Sequence, residues 1–357
     1  MRPDILVTGG AGFIGSNFIQ SWLEESQSNV VTVDKGTYAA APGSVSENTD
    51  GGRYRFVRGD IADRGLIKEL LRQHQPSAVI NFAAETHVDR SILFPEEFVQ
   101  TNVMGAFSLL DEVRRYWSGL PDAEKSAFRF LQVSTDEVYG SLPMEEPPCG
   151  EEKSPAPNSP YAASKAAADQ FVRAFHQTYG LPALIARCCN NYGPFQHPEK
   201  LIPHIIHRAL REEPLPVYGD GRQIRDWLYV GDHCAALRSV IARGRPGEVY
   251  NISARVERTN LQVVRAICML LDSEYPRKLG SYSELIAHVT DRPGHDRRYA
   301  LDASKLADEL GWQASESFET GLAKTVRWYL SNLEWVSAVA DGEAFQNWNT
   351  INYSQRR

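Results

Sequence analysis

Two short stretches carry groups that could move protons. In Tyr161-Ala162-Ala163-Ser164-Lys165 a phenol and an ammonium stand four residues apart, which on a helix makes them neighbours on one face. A nearby lysine cation favours the phenolate, so the spacing predicts a Tyr161 that acts as a base near neutral pH. Upstream, Val133-Ser134-Thr135-Asp136-Glu137-Val138-Tyr139-Gly140 reads as a strand ending in two hydroxyls and then two acids. Adjacent acids are commonly solvated turn residues. At the carboxyl end of a strand in an open α/β sheet, where ligands bind, and upstream of a Tyr/Lys pair, they read instead as proton donor and acceptor.

A third stretch binds rather than reacts. Ile5-Leu6-Val7-Thr8-Gly9-Gly10-Ala11-Gly12-Phe13-Ile14-Gly15 has the order strand, glycine turn, helix. Gly9, Gly12 and Gly15 let the backbone turn sharply and approach a pyrophosphate, whose charge then sits at a helix N-terminus beside Phe13 and Ile14. A second strand ends at Asp34, at the distance where a carboxylate binds the adenosine ribose hydroxyls. That carboxylate would repel a 2′-phosphate, which favours NAD over NADP; Lys35, directly after it, works the other way. Asp60 and Ile61 end the third strand and could flank the adenine. In Asn81-Phe82-Ala83-Ala84-Glu85-Thr86-His87-Val88-Asp89-Arg90 the small alanines allow close approach of the nicotinamide half, while His87 and Asp89 read as local capping and packing.

The elements that must hold these groups alternate. Strands are expected at 5–8, 30–34, 54–58, 78–82, 130–134 and near 183–187, with helices at 15–25, 65–73, 102–116 and 162–179 between them. This is the pattern of a doubly wound (Rossmann) parallel sheet in an α/β protein. Residues 39–52, rich in Ala, Gly, Ser and Asn, read as a mobile loop, and the Pro- and Glu-dense 141–159 as a surface excursion. After about Asn190 short strands (215–218, 248–252) alternate with helices (201–211, 261–271, 305–309). The expected division is a cofactor domain over 1–190 and, over 191–357, mainly a smaller mixed α/β lobe that binds substrate, with some segments joining the sheet.

Composition narrows the partners. The chain has 357 residues, 42% of them hydrophobic, enough for a sizeable core without disulfide or metal staples. A net charge of −7 argues against sequence-independent nucleic-acid binding. The five cysteines have no C-x-x-C spacing and read as reduced, buried thiols, so no metal is expected. No secretory signal is visible, and no apolar run approaches the roughly 20 residues that span a bilayer. A cytoplasmic, soluble protein is expected.

Beyond TGGAGFIG (8–15) and YAASK (161–165), five stretches carry a likeness: AAETHVDRSI (83–92), STDEVYG (134–140), RCCNNYGPFQHPEKLIP (187–203), YGDGRQIRDWLYVGDH (218–233) and DRPGHDRRYALDASK (291–305). On these the chain resembles the extended short-chain dehydrogenase/reductase superfamily and, within it, the dTDP-glucose 4,6-dehydratase family, nearly end to end. The resemblance implies bound NAD and a nucleotide-sugar substrate. Tyr161 would take the O4 proton, with Lys165 holding the phenolate and Thr135 hydrogen-bonding at O4. Glu137 would remove the C5 proton and Asp136 protonate the departing O6 hydroxyl, so the environments of the two acids should push their pKa values apart. It further implies cofactor contacts at Thr37, Phe82, Thr86, Thr101, Val133 and Asn191. Substrate contacts are implied at Thr86, Asn190, Glu199, Lys200, Leu201, Pro216, Tyr218, Arg225, Asn260, Arg292 and His295, the arginines being suited to bidentate phosphate contacts.

The chain departs from the family at Gly36-Thr37-Tyr38-Ala39-Ala40-Ala41, at Asn81 where His is frequent, and at Cys189 where Ser is frequent. Three activities remain open on these residues: dehydration of a dTDP-sugar, dehydration of another nucleotide sugar, and 4-epimerisation. An epimerase has no use for an acid/base pair at C5 and C6, so Asp136-Glu137 favours dehydration. A non-enzymatic NAD sensor would not need the Tyr/Lys pair. The resemblance also implies a homodimer, with 102–116 and 162–179 as the interface helices.

Overall fold

The structure, a computed structural model, describes residues 4–41, 43–45 and 52–354. Within the expected 39–52 loop, residues 42 and 46–51 lie outside the described residues. Strands β1 (Ile5–Thr8), β2 (Val30–Asp34), β3 (Tyr54–Arg58), β4 (Ala78–Asn81), β5 (Arg129–Thr135) and β6 (Ala183–Cys188) fall where the sequence places them. Then come β7 (Asn190–Tyr192), β8 (Leu215–Tyr218), β9 (Ile224–Tyr229), β10 (Val249–Ile252), β11 (Glu257–Thr259) and β12 (Ile286–Val289).

Seven strands form one parallel sheet in the order β10-β6-β5-β4-β1-β2-β3. Its central strands read as unbroken apolar runs because helices cover both faces; Val7, Val30, Val33, Val79 and Ile80 are fully enclosed. The order reverses direction between β1 and β4, and a crevice opens outside the carboxyl ends at such a point.

Beyond β6 the chain leaves this sheet. β7, β9 and β11 make a three-stranded sheet and β8 pairs with β12, around a separate apolar cluster that includes Ile205, Ile206, Val263, Ile267, Val326 and Tyr329. The chain also returns: β10 is the outer strand beside β6, and the Val230–Arg243 helix packs on the Phe13–Glu25 helix. Strand Ile224–Tyr229 and the helices Val230–Arg243, Phe318–Ser331, Leu333–Ala340 and Glu343–Ser354 add to the elements expected from periodicity.

Two expectations are corrected. The single helix over 102–116 is a π-helical stretch, Val99–Gly105, running into an α-helix, Ala106–Ser118. The reason is Asn102, which is buried and pins the turn after β4. Its amide donates to the Glu85 carbonyl (3.0 Å) and Ser164 Oγ (2.8 Å), and its oxygen accepts from Glu85 N (2.8 Å). Widened turns of this kind recur at functional sites. The 141–159 excursion is only partly a surface feature. Leu142 and Cys149 are buried and their amides donate to the Arg298 and Ala300 carbonyls, stitching the segment to the lobe. All five cysteines are free and buried. No helix among the described residues is long and apolar enough to cross a membrane.

Candidate active site

The glycine turn between β1 and the Phe13–Glu25 helix is shaped by close backbone approach. Gly9 has φ +71°, and a Cβ there would lie 2.5 Å from Ala83 N. At Gly15 a Cβ would strike the Gly9 carbonyl oxygen. The helix begins at Gly12 without a side-chain cap and without an acid in its first turn, so its free N–H groups are left for an anion. Asp34 ends β2, and its carboxylate accepts from Ala11 N (2.9 Å) and Gly36 N (2.8 Å), which locks the turn to the strand end. Lys35 points away to Asp60, 2.8 Å off, rather than offering a free cation beside Asp34.

A cavity of about 290 Å³ opens along this turn and the strand ends beyond it. Gly9, Gly12, Phe13, Ile14, Gly15, Asp34, Lys35, Thr37, Asp60 and Ile61 line one end. Phe82, Ala83, Ala84, Thr86, Thr101, Val133, Tyr161, Lys165 and Asn191 line the other. The cavity fits a dinucleotide: an uncapped helix end lies at its middle, and at its far end Asn191 Oδ1 is a buried acceptor with no partner among the described residues.

The groups expected to react come from two elements. β5 ends at Thr135, whose Oγ1 accepts from Glu137 N (3.2 Å) and starts the 3-10 turn Asp136–Tyr139. Ser159 caps the Pro160–Tyr179 helix through Ala162 N (3.1 Å), so Tyr161 falls in its first turn and Lys165 in the next. Thr135 Oγ1 also donates to Asp136 Oδ1 at 3.1 Å.

Burial pushes the Asp136 carboxyl well above the usual carboxylate range, and the neighbouring Glu137 adds to this. Its Oδ2 has no hydrogen-bond partner among the described residues. Glu137 is also raised by burial, but Arg292, Arg225 and Lys200 pull it back. Both acids move upward and Arg225 pulls on both, so the expected separation comes from Arg292 and Lys200 acting on Glu137.

For Tyr161 the expectation from the Tyr/Lys spacing is reversed in sign. Burial, then Glu137, Cys188 and Asp136, hold the phenol well above its ordinary value. Lys165 donates instead to the Val133 carbonyl (2.7 Å), and its own pKa is lowered by burial against the opposing charge of Asp169.

A second cavity of about 180 Å³ adjoins the first and shares Thr86, Glu137, Asn190, Glu199 and Lys200 with it. Leu201, Pro216, Tyr218, Arg225, Asn260, Arg292 and His295 also line it. Lys200 Nζ is held by the Thr86 carbonyl (2.9 Å). Arg225 lies on β9, bonded to the Asp296 carbonyl (3.0 Å), with its guanidinium 4.3 Å over the Tyr299 ring. Arg292 faces Asp89 at 3.5 Å. His295 Nδ1 meets Asp291 at 2.6 Å, and burial together with Arg292 and Arg225 takes its pKa down to about 4.

His87 caps the Val88–Leu93 helix as expected, accepting from Arg90 N at 3.4 Å. Asp89 does more than pack: it lines the second cavity between Arg292 and the Tyr218 hydroxyl (3.3 Å). Gln196, His197 and Tyr299 line the cavities as well and were not foreseen. All three lie inside stretches that carry the family likeness, which was the one signal available for them.

A parallel sheet with an uncapped glycine turn, a Tyr/Lys pair and a cation-rich second cavity defines a dinucleotide-dependent enzyme acting on an anionic, nucleotide-like substrate. The family model described as GDP-mannose 4,6 dehydratase matches residues 6–325, ending before the last two helices. A dTDP-glucose 4,6-dehydratase of Xanthomonas campestris pv. campestris is 58% identical over 338 residues, 94% of this chain and 96% of that protein. The crystal structure of the dTDP-glucose 4,6-dehydratase of Streptomyces venezuelae with NAD bound is 43% identical. It superimposes with a TM-score of 0.84, covering 95% of this chain and all of that one. The UDP-glucose 4-epimerase of Thermotoga maritima, 29% identical, scores 0.81 over 92% of this chain and 99% of that one, so the fold alone does not separate the two reactions. The chain belongs to the dTDP-glucose 4,6-dehydratase family of the extended short-chain dehydrogenase/reductases.

Proposed function

We propose that this chain converts dTDP-glucose to dTDP-4-keto-6-deoxyglucose and water, as a hydro-lyase that holds NAD. The observation that carries the reading is the Asp136/Glu137 pair where the two cavities meet, Asp136 raised by burial and by Glu137, and Glu137 facing Arg292, Arg225 and Lys200. Residues 1–190 act as the cofactor domain, and the lobe within 191–357 supplies the substrate side.

NAD, when bound, accepts the C4 hydride and gives it back at C6. The protein's own groups move the protons. Tyr161 takes the proton of the O4 hydroxyl as C4 becomes a ketone, and the ketone acidifies the C5 hydrogen. Glu137, with its charge supported by Arg292, Arg225 and Lys200, removes that C5 proton. Asp136, kept protonated by burial, gives its proton to the departing O6 hydroxyl, and water leaves. Glu137 then returns its proton to C5 as the hydride reaches C6. Each turnover leaves one proton on Tyr161 and removes one from Asp136. Thr135, hydrogen-bonded to Asp136, lies on the route between them.

The raised phenol of Tyr161 fits an order of events. Without a ligand it stays protonated among acids; the positive nicotinamide ring and Lys165 then favour the phenolate when the cofactor is in place. Lys200, Arg225 and Arg292 hold the diphosphate, and Thr86, Asn190, Glu199, Leu201, Pro216, Tyr218, Asn260 and His295 surround the sugar and base. The buried, unpaired thiols accord with a cytoplasmic enzyme. Met104, Phe171 and Tyr179 are exposed on the interface helices expected from the sequence, and we assign them to a homodimer, which sedimentation of the purified protein tests.

Purified protein incubated with dTDP-, UDP-, CDP- and GDP-glucose without added NAD should remove one water from dTDP-glucose by mass spectrometry. An isomer in place of water loss would make it an epimerase. Glu137→Gln should still oxidise C4 slowly and stall before elimination; dehydration at the full rate would remove Glu137 from its role.

A further inference from the structure

Behind the wall where the two cavities meet, Arg90 is gripped by aromatic rings on two sides. Its guanidinium carbon lies 3.8 Å from the Tyr38 ring centroid and 4.3 Å from that of Trp348. Its Nε donates to Glu199 Oε2 at 3.3 Å, with side-chain exposures of 15% and 1%. Three segments remote in sequence meet here: the stretch after β2, the turn after β4, and the last helix, Glu343–Ser354. That helix makes two further contacts with the site. Trp348 stands edge-on to His87 with centroids 5.1 Å apart, and Asn352 donates to the Tyr218 hydroxyl at 2.9 Å.

Glu199 sets the problem that this arrangement answers. It is a buried carboxylate lining both cavities, in a site where an anionic diphosphate must bind. An uncompensated buried anion is strongly unfavourable and would repel that ligand. A guanidinium stacked between two rings is held by cation–π attraction and keeps a fixed plane, so one N–H edge stays turned to the carboxylate. The other carboxylate oxygen, Oε1, is buried with no hydrogen-bond partner among the described residues and is left as an acceptor.

We propose that Arg90, clamped by Tyr38 and Trp348, is a positioning residue that joins Lys200 in neutralising Glu199 and fixes its open oxygen for the ligand, making the last helix part of the substrate-binding unit. The inference rests on the proposed function, since it takes the second cavity as the nucleotide-sugar site. It explains why a helix beyond the family-model match packs against the seam between the two cavities.

The test is a double-mutant cycle read by calorimetric titration of thymidine diphosphate into the holoenzyme, with steady-state rates on dTDP-glucose and melting temperatures alongside. Arg90→Met should weaken binding about ten- to a hundredfold, the loss falling mainly on KM. With Glu199→Gln already in place, adding Arg90→Met should cost less than about threefold, because no anion is left to neutralise. Trp348→Ala should copy the KM defect and Trp348→Phe should rescue it, since a flat ring is what the stack requires. Equal losses from Arg90→Met in both backgrounds would overturn the proposal, as would a Trp348→Ala variant that loses melting temperature or kcat with KM unchanged. A wild-type protein that neither binds thymidine diphosphate nor dehydrates dTDP-glucose would overturn the functional reading itself.

Discussion

The two cavities are built by opposite means. The cofactor cavity is made by backbone: a turn whose shape depends on Gly9 and Gly15, an uncapped helix end, and an Asp34 whose carboxylate is tied to two amides. The substrate cavity is made by side chains. Lys200 and Arg225 come from separate segments and Arg292 and His295 from a third, each held by a carbonyl or an acid. A dinucleotide is gripped by a shape the main chain makes once. A sugar nucleotide is gripped by charges that must be aimed one at a time.

That contrast makes substitutions at the two places behave differently. The largest effect should come from Gly9→Ala. Its Cβ would lie 2.5 Å from the Ala83 backbone at a φ of +71°, where neither chain can give way cheaply. Loss of about 4 kcal/mol is expected, roughly a thousandfold in cofactor affinity, read as NAD released on denaturing the purified protein. Normal NAD content in this variant would mean the turn is not the binding element.

Arg292→Met comes next. It should raise KM for dTDP-glucose about ten- to a hundredfold while NAD content stays at the wild-type level. A fall in bound NAD of similar size would erase the distinction between the cavities.

Asp136→Asn should abolish elimination yet stabilise the fold by about 1 kcal/mol, because a buried acid is removed from the site. The sign follows from the raised folded-state pKa of Asp136. Its stabilising contribution is complete below the ordinary carboxylate value and is lost as pH rises through the folded value. The melting-temperature advantage of the variant should therefore grow from acid toward neutral pH; a gap independent of pH would refute the assignment.

Lys35→Met should do least. Lys35 is 62% exposed and its pair with Asp60 lies at the surface, so stability should change by under about 0.5 kcal/mol. The backbone-built cleft should keep its NAD.

The same contrast explains what could be read from the chain. The glycine turn, Asp34 and the Tyr161/Lys165 pair are local patterns, each with a physical reason at fixed spacing, and the strands that carry them are apolar runs that periodicity detects. Arg225, Arg292 and His295 have no such spacing and were reached only through resemblance. Asp89 looked like a capping acid because its partners, Arg292 and Tyr218, lie far along the chain. The expected lowering of the Tyr161 pKa failed for a related reason: helical spacing says nothing of Glu137 and Asp136, which arrive from another element and add to the dominant effect of burial. The π-helical turn was hidden too, since Asn102 bonds across to Glu85 and Ser164 rather than along its own helix.

The central claim is that oxidation at C4 and reduction at C6 occur in one site, with water lost between them. Substrate carrying deuterium at C4 of the glucose tests it directly, with product analysed by mass spectrometry and NMR in unlabelled water. The deuterium should be found at C6 of the 4-keto-6-deoxy product. Deuterium lost to solvent, or retained at C4 in an epimerised sugar, would contradict the account.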